Sequence, residues 1–293
     1  MRASLSTLVA VLLLAGCPAT PITDDDAALS DASGGEADAG TFEDVGLVAD
    51  APRTMGGLCD GASGRTLDVL FVGNSQIDFW NMARLVSSLS ESAPPGCPRI
   101  VGTRRTRGGA NLRDLWESAG LDDEIATGDH DVIVITESID LADMRPPFPA
   151  LFVDYGTRIV DASRAAGSRP IFYATGYIER ADRFGFAEMA DPQIALGEEL
   201  DVEVATGGLA WLRAWGRDPS LDLYHSDRGH PGFVGSYLSA LVIWATLMDA
   251  SPIGLTNSPA TDCTDGPCTP ISASLAAELQ RDADAEWRSR RAR

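Results

Sequence analysis

The sequence predicts an α/β domain with a parallel sheet covered by helices on both faces. Short, nearly continuous apolar runs recur from residue 65 onward, each about the length of one buried strand. Apolar residues at helical spacing lie between them, and the two patterns alternate along the chain. A strand that is apolar at every position is buried on both faces, which is the condition of a parallel sheet in an α/β protein.

The expected strands are 67–72 (LDVLFV), 100–103, 132–136 (VIVIT), 170–174 (PIFYA) and 202–206 (VEVAT). Phe79, Met82, Val86 and Leu89 recur at helical spacing after the first strand, as do Phe233, Tyr237, Leu238 and Leu241 near the end of the domain. Trp211, Trp215 and Trp244 fall at helical spacing too and read as core. In such sheets function gathers at the carboxyl ends of the strands.

The flanking regions differ in character. Arg2 precedes an apolar run at 8–14 (LVAVLLL), too short to span a bilayer and typical of an export signal. Leu14, Ala15, Gly16 and Cys17 follow, a pattern that resembles the lipobox of bacterial lipoproteins, in which the cysteine is acylated and becomes the new N-terminus. Residues 1–16 are thus read as a signal peptide with Cys17 as the lipid anchor. Pro18, rather than Asp, after that cysteine favours an outer-membrane destination. Residues 17–64 are rich in Asp, Ala, Gly and Ser, a composition that does not repay its ordering entropy and reads as an acidic tether. The domain proper is expected over 65–255. Residues 256–293 read as a loop closed by two cysteines and a helix over 272–290, with Leu275, Leu279 and Trp287 as its apolar side. Whether that helix packs or lies exposed is left open.

The formal charge of -20, with every cation an arginine apart from the chain terminus, argues against nucleic acid, whose phosphates recruit basic residues. Besides Cys17 there are four cysteines, and an even number in an exported chain reads as disulfides. Cys263 and Cys268 enclose a short turn, which favours local pairing and leaves Cys59 with Cys97; three pairings are formally available. The spacing does not suit a zinc site, so no metal and no organic cofactor are expected.

Two segments carry chemistry. The first strand runs into Gly73, Asn74, Ser75 and Gln76 before a helix, which exposes a serine at the functional edge of the sheet beside free backbone N–H groups. Taken alone, this is also ordinary turn and N-cap chemistry. Far downstream, His225, Asp227, His230 and Pro231 precede the last helix of the domain. An Asp and a His three residues apart on a loop allow the carboxylate to fix the imidazole while its other nitrogen takes a proton from a serine.

Together these blocks resemble the SGNH (GDSL-like) hydrolase family over about residues 66 to 250. The first block, usually Gly-Asp-Ser, stands here as Gly73-Asn74-Ser75. The second-block glycine corresponds to Gly109 within Arg107-Gly108-Gly109-Ala110, and the final Asp-x-x-His-Pro block to Asp227 through Pro231. The resemblance implies a three-layer, flavodoxin-like sandwich with a five-stranded parallel sheet and a catalytic triad of Ser75, His230 and Asp227. It also implies an oxyanion hole built from the N–H groups of Ser75 and Gly109.

The third block departs from the pattern. Where members usually carry Asn, or Gln in some branches, this chain has Thr136-Glu137-Ser138. Thr136 or Ser138 is the expected substitute for the third oxyanion donor, because an ionised Glu137 has no proton to donate. Loss of one such donor typically costs on the order of 100-fold to 1000-fold in turnover.

The expected function is ester hydrolysis, with an O-acyl group, particularly acetyl, on a carbohydrate as the substrate. The alternatives are a carbohydrate O-acetyltransferase and a surface binding module with weak activity. The expected partners are an ester substrate, which includes a glycan, and a membrane held only through the lipid anchor; nucleic acid is not expected, and the oligomeric state and any partner of the C-terminal segment are open. His225 and His130 read as loop and turn residues, and Arg99, Arg104, Arg105 and Arg107 as surface charge.

Overall fold

The computed structural model describes residues 58–59, 64–137, 148–175 and 186–292, all within one compact unit. In chain order the elements are β1 (Thr66–Gly73), α1 (Ser75–Asp78), α2 (Met82–Glu91), β2 (Arg99–Thr106), α3 (Leu112–Ser118), α4 (Leu121–Ala126) and β3 (Val132–Ile135). There follow α5 (Phe148–Ala165), β4 (Arg169–Tyr173), α6 (Phe186–Leu200), β5 (Glu203–Ala205), α7 (Gly207–Arg217), α8 (Phe233–Met248) and α9 (Ala273–Arg291). The five strands are parallel in the order β2-β1-β3-β4-β5. This is the sandwich the apolar runs predict.

Successive side chains of a strand point to opposite faces, so each apolar run feeds two cores. Val69, Phe71, Val134, Ile171 and Tyr173 pack toward α2, α7 and α8, whereas Leu70, Val72, Ile133, Ile135 and Phe172 pack toward α3, α4 and α5. Helix α8 is buried along almost its entire length, a helix apolar on all sides that only a surrounding core can hold. Its neighbours are α2, α7, α9 and the β5 edge.

The helix whose packing the sequence leaves open is α9, and it is packed. Ala276, Leu279, Ala283 and Trp287 are buried in the same cluster as α8, and Gln280 donates to Tyr237 Oη at 2.9 Å and to Leu255 O at 2.7 Å. Glu286 is only 2% exposed. It accepts from Thr206 Oγ1 at 2.7 Å and from Arg213 Nε at 2.6 Å. The chain beyond residue 255 therefore shares the core of the sheet domain.

Both disulfides have the pairing the spacing favours, Cys59 with Cys97 and Cys263 with Cys268. Two such bonds point to an oxidising, extracellular or periplasmic compartment. Among the described residues no helix is long and apolar enough to cross a membrane. Cys17, the tether and the export signal lie outside the described residues.

One expected element is corrected. The residues from Phe79 to Leu89 were expected on one helical stretch, but the helix breaks after Asp78 and restarts at Met82. Trp80 and Asn81 take left-handed backbone angles, φ 58° and 47°. Such angles persist in bulky residues only where surrounding contacts over-determine them, and those contacts come from the C-terminal loop. Asp265 Oδ2 accepts the Trp80 N–H at 2.8 Å, Thr261 Oγ1 donates to Trp80 O, and Asp262 Oδ2 accepts from Asn81 Nδ2 at 2.6 Å.

The α9 anchorage leads to a measurable expectation. Glu286→Ala leaves the buried Thr206 hydroxyl without its acceptor, while Arg213, being partly exposed, finds water. We expect a loss of about 2 kcal/mol. It would be read as a lower urea midpoint with an unchanged m-value; an unchanged midpoint would mean that α9 contributes nothing through this residue.

Candidate active site

Ser75 opens α1 directly after β1, and Asn74 caps that helix by accepting the Gln76 N–H on Oδ1 at 3.0 Å. The nucleophile candidate thus stands at the carboxyl edge of the sheet, at the β1/β3 position where the strand order switches direction. The first N–H groups of a helix lack intrahelical partners, so the Ser75 N–H is of the kind that can receive an oxyanion.

The Asp227 and His230 segment is a closed loop. A bridge between Tyr224 and Pro231 forms its base, and His225 N–H donates to His230 O at 2.9 Å. Gly232 is required just outside it, because a Cβ there would stand 2.5 Å from Tyr224 O. Within the loop, Asp227 Oδ1 accepts from Gly229 N–H at 2.9 Å and His230 N–H at 3.1 Å, the local side-chain-to-backbone bonding that Asp favours in turns. This leaves Oδ2 for the ring, 2.7 Å from His230 Nδ1.

His230 Nε2 lies 2.9 Å from Ser75 Oγ. With Asp227 ionised, Nδ1 carries the ring proton and Nε2 accepts the Ser75 hydroxyl. Burial pushes the Asp227 carboxyl up, but the Gly229 N–H, the His230 imidazole and then His225 outweigh it. The net result holds Asp227 well below the usual carboxylate range, so it is anionic at neutral pH.

Several residues that hold this geometry were not singled out by the sequence. The Phe79 ring stacks on His230 at 3.8 Å with the planes 1° apart, which fixes the plane of the imidazole. Gln76 Nε2 donates to Gly229 O at 3.2 Å, and Trp80 Nε1 donates to Pro231 O at 2.9 Å, so the serine turn and the histidine loop are bonded twice more. His225 does not stand free in the loop: its Nε2 is 3.0 Å from Asp265 O, and its Nδ1 is 3.3 Å from Asp227 Oδ2. The Cys263–Cys268 loop thereby forms the outer wall of the site. A helix break forced from a distance leaves no periodic signal, and only the unusual density of polar residues around Cys263 could have hinted at it.

Of the oxyanion candidates, Gly109 lies in the turn that follows β2, with φ +70°, a conformation glycine adopts at little cost. Arg107 N–H donates to Gly73 O at 3.2 Å and ties this turn to the end of β1. Thr136 is buried on the α8 face of the sheet, and its Oγ1 has no hydrogen-bond partner among the described residues. Ser138 lies outside the described residues. Glu137 is buried, and its carboxylate is turned to the Leu112 N–H, which donates to Oε1 at 3.2 Å and to Oε2 at 3.3 Å. Arg104, Arg105 and Arg107 are engaged by Asp78, Glu124 and Asp114. His130 sits in the turn entering β3, its carbonyl accepting from Ser168 Oγ. A cavity of about 280 Å³ opens at the β5 edge against Val204, Val242 and Trp287, but none of Ser75, Asp227 and His230 lines it.

The fold is that of SGNH hydrolases. A putative SGNH hydrolase from Slackia heliotrinireducens is 22% identical, covering 62% of this chain and 100% of that one, with a TM-score of 0.50. A DUF4886 family protein from Bacteroides uniformis is 15% identical over 75% of this chain and 94% of its own, with a TM-score of 0.53. An alpha/beta hydrolase from the metagenome of Lake Arreo, Spain, is 16% identical over 64% of this chain and 97% of its own, with a TM-score of 0.50. No family model and no curated protein matches the chain.

The depressed Asp227 carboxyl has a signed consequence for stability. A group with a lowered folded-state pKa stabilises the fold at pH above its unfolded value, about 3.9, and loses that contribution as the pH falls further. We therefore expect the stability difference between the native chain and Asp227→Asn to narrow as the pH falls below about 4. Denaturation curves across that range check it; a difference that does not narrow on acidification would contradict the assignment of the loop bonds to an ionised Asp227.

Proposed function

We propose that this chain is a serine esterase, and the observation that carries the reading is the continuous relay from Asp227 Oδ2 through His230 to Ser75 Oγ, with steps of 2.7 and 2.9 Å. A hydroxyl bonded to a neutral imidazole whose far nitrogen is held by a carboxylate is an activated nucleophile. Ser75 Oγ attacks the ester carbonyl as His230 Nε2 takes its proton, and the carbonyl oxygen becomes an oxyanion facing the N–H groups of Ser75 and Gly109. The tetrahedral intermediate collapses as His230 returns the proton to the departing alcohol. Water then clears the acyl group from Ser75 by the same sequence. No metal or organic cofactor takes part in these steps.

The substrate we assign is an O-acyl ester, foremost an acetyl group on a carbohydrate. The fold does not choose the substrate; the export signal and the sequence resemblance support it. Ser138 is proposed as a third oxyanion donor in preference to Thr136, whose hydroxyl is buried. Cys17 is proposed as the lipid anchor that holds the domain at the outer membrane, with residues 17–64 as its tether.

Hydrolysis of p-nitrophenyl acetate by the full chain tests the reading. We expect Ser75→Ala and His230→Ala to lower kcat by about 1000-fold or more at unchanged fold, and a fluorophosphonate to label the native chain on Ser75 but not Ser75→Ala. Equal turnover by all three proteins would refute it. Labelling of Ser75 without release of product to water, but with transfer of acetyl to a glycan, would reassign the same triad to acyl transfer.

A further inference from the structure

The third block leaves a buried carboxylate close to a site where negative charge must develop, and the structure shows what that carboxylate holds. The turn from Arg107 to Asn111 carries Gly109. At one end, Arg107 N–H is bonded to Gly73 O, and within it Ala110 N–H donates to Arg107 O at 3.0 Å. At the other end, Asn111 and Asp114 form a reciprocal capping box that accounts for the N–H groups of residues 111 and 114. The Leu112 N–H, one of the donors a helix start leaves open, is taken by both oxygens of Glu137. Glu137 is 5% exposed and Asn74 2%.

The register adds a second observation. Val72 pairs with Ile135, and Thr136 N–H donates to Val72 O, so Asn74 and Glu137 are the next residues on the same face of these adjacent strands. Asn74 Nδ2 is enclosed, without a hydrogen-bond partner among the described residues. An aspartate at that position would cap α1 equally well through its oxygen. It would also set a second carboxylate in the same buried row as Glu137, and like charges in a poorly solvated site repel strongly.

We propose that Glu137 is a positioning residue for the oxyanion turn: its carboxylate grips Leu112 N–H and so fixes the turn that carries Gly109 at the end of β1, and Asn74 is the neutral neighbour this carboxylate requires. The consequence for catalysis rests on the esterase reading above; the grip and the Asn74 requirement do not. Glu137 thus acts through the turn without touching the substrate.

The test uses the full chain with Glu137→Ala, Glu137→Gln, Asn74→Asp and the double variant Asn74→Asp/Glu137→Gln. Glu137→Ala is expected to speed amide exchange at Leu112 and to lower kcat for p-nitrophenyl acetate by about 10-fold to 100-fold, with KM within about twofold. Glu137→Gln keeps an acceptor oxygen and is expected to retain kcat within about threefold. Asn74→Asp alone should lower the melting temperature at pH 7 by about 5 °C, and most of that loss should vanish in the double variant. Unchanged Leu112 exchange in Glu137→Ala, or additive melting losses in the double variant, would overturn the proposal, as would a fully active Glu137→Ala. If the native chain neither turns over esters nor labels on Ser75, the esterase reading fails by itself, and exchange and melting still decide the grip of Glu137 and its need for Asn74.

Discussion

The bond between His230 Nε2 and Ser75 Oγ joins residues 155 positions apart, and a proton can be shared across it only if both loops are held to within a few tenths of an ångström. Neither loop is held by the triad alone. The histidine loop is self-organised through Asp227, which bonds two backbone N–H groups before it meets the ring. The serine turn is fixed by the end of β1 and the Asn74 cap. Gln76 and Trp80 then tie the two together, and the flat contact of Phe79 with His230 removes the ring's remaining rotation. The precision of one contact is thereby distributed over Asn74, Gln76, Phe79 and Trp80.

Much of this architecture was legible because it rests on burial. A five-stranded parallel sheet buried on both faces writes five apolar runs into the sequence, and the observed strands agree with the expected ones to within a few residues. The convergence of Ser75, Asp227 and His230 was legible because Asp-x-x-His is a local motif and because Gly73-Asn74-Ser75 ends a recognisable strand. The pairing of Cys263 with Cys268 followed from their closeness in sequence.

What was not legible depends on contacts between distant segments. The helix break at Trp80 and Asn81 is imposed by Thr261, Asp262 and Asp265, about 180 residues away, and nothing in the spacing of Phe79, Met82 and Val86 announces it. Phe79 has the composition of a core residue, and only its position against His230 makes it part of the site. Sequence shows that Glu137 has no proton to donate when ionised but not where it points; its carboxylate meets a backbone donor of α3. The packing of α9 likewise hinged on Glu286, a charged residue in the last turns of a polar helix that is buried because Thr206 and Arg213 come to meet it.

The reach of the Cys263–Cys268 loop to Trp80 and His225 sets an order of events for an exported chain. A polypeptide that leaves its compartment N-terminus first delivers Ser75 early, His230 much later and the clamp on Trp80 last of all. Until that closing segment has emerged and its cysteines have met an oxidising environment, the corner that shapes the serine turn has none of its outer contacts. The outer contacts of the serine turn would therefore be the last to form, and they would close in the oxidising compartment to which the two disulfides point.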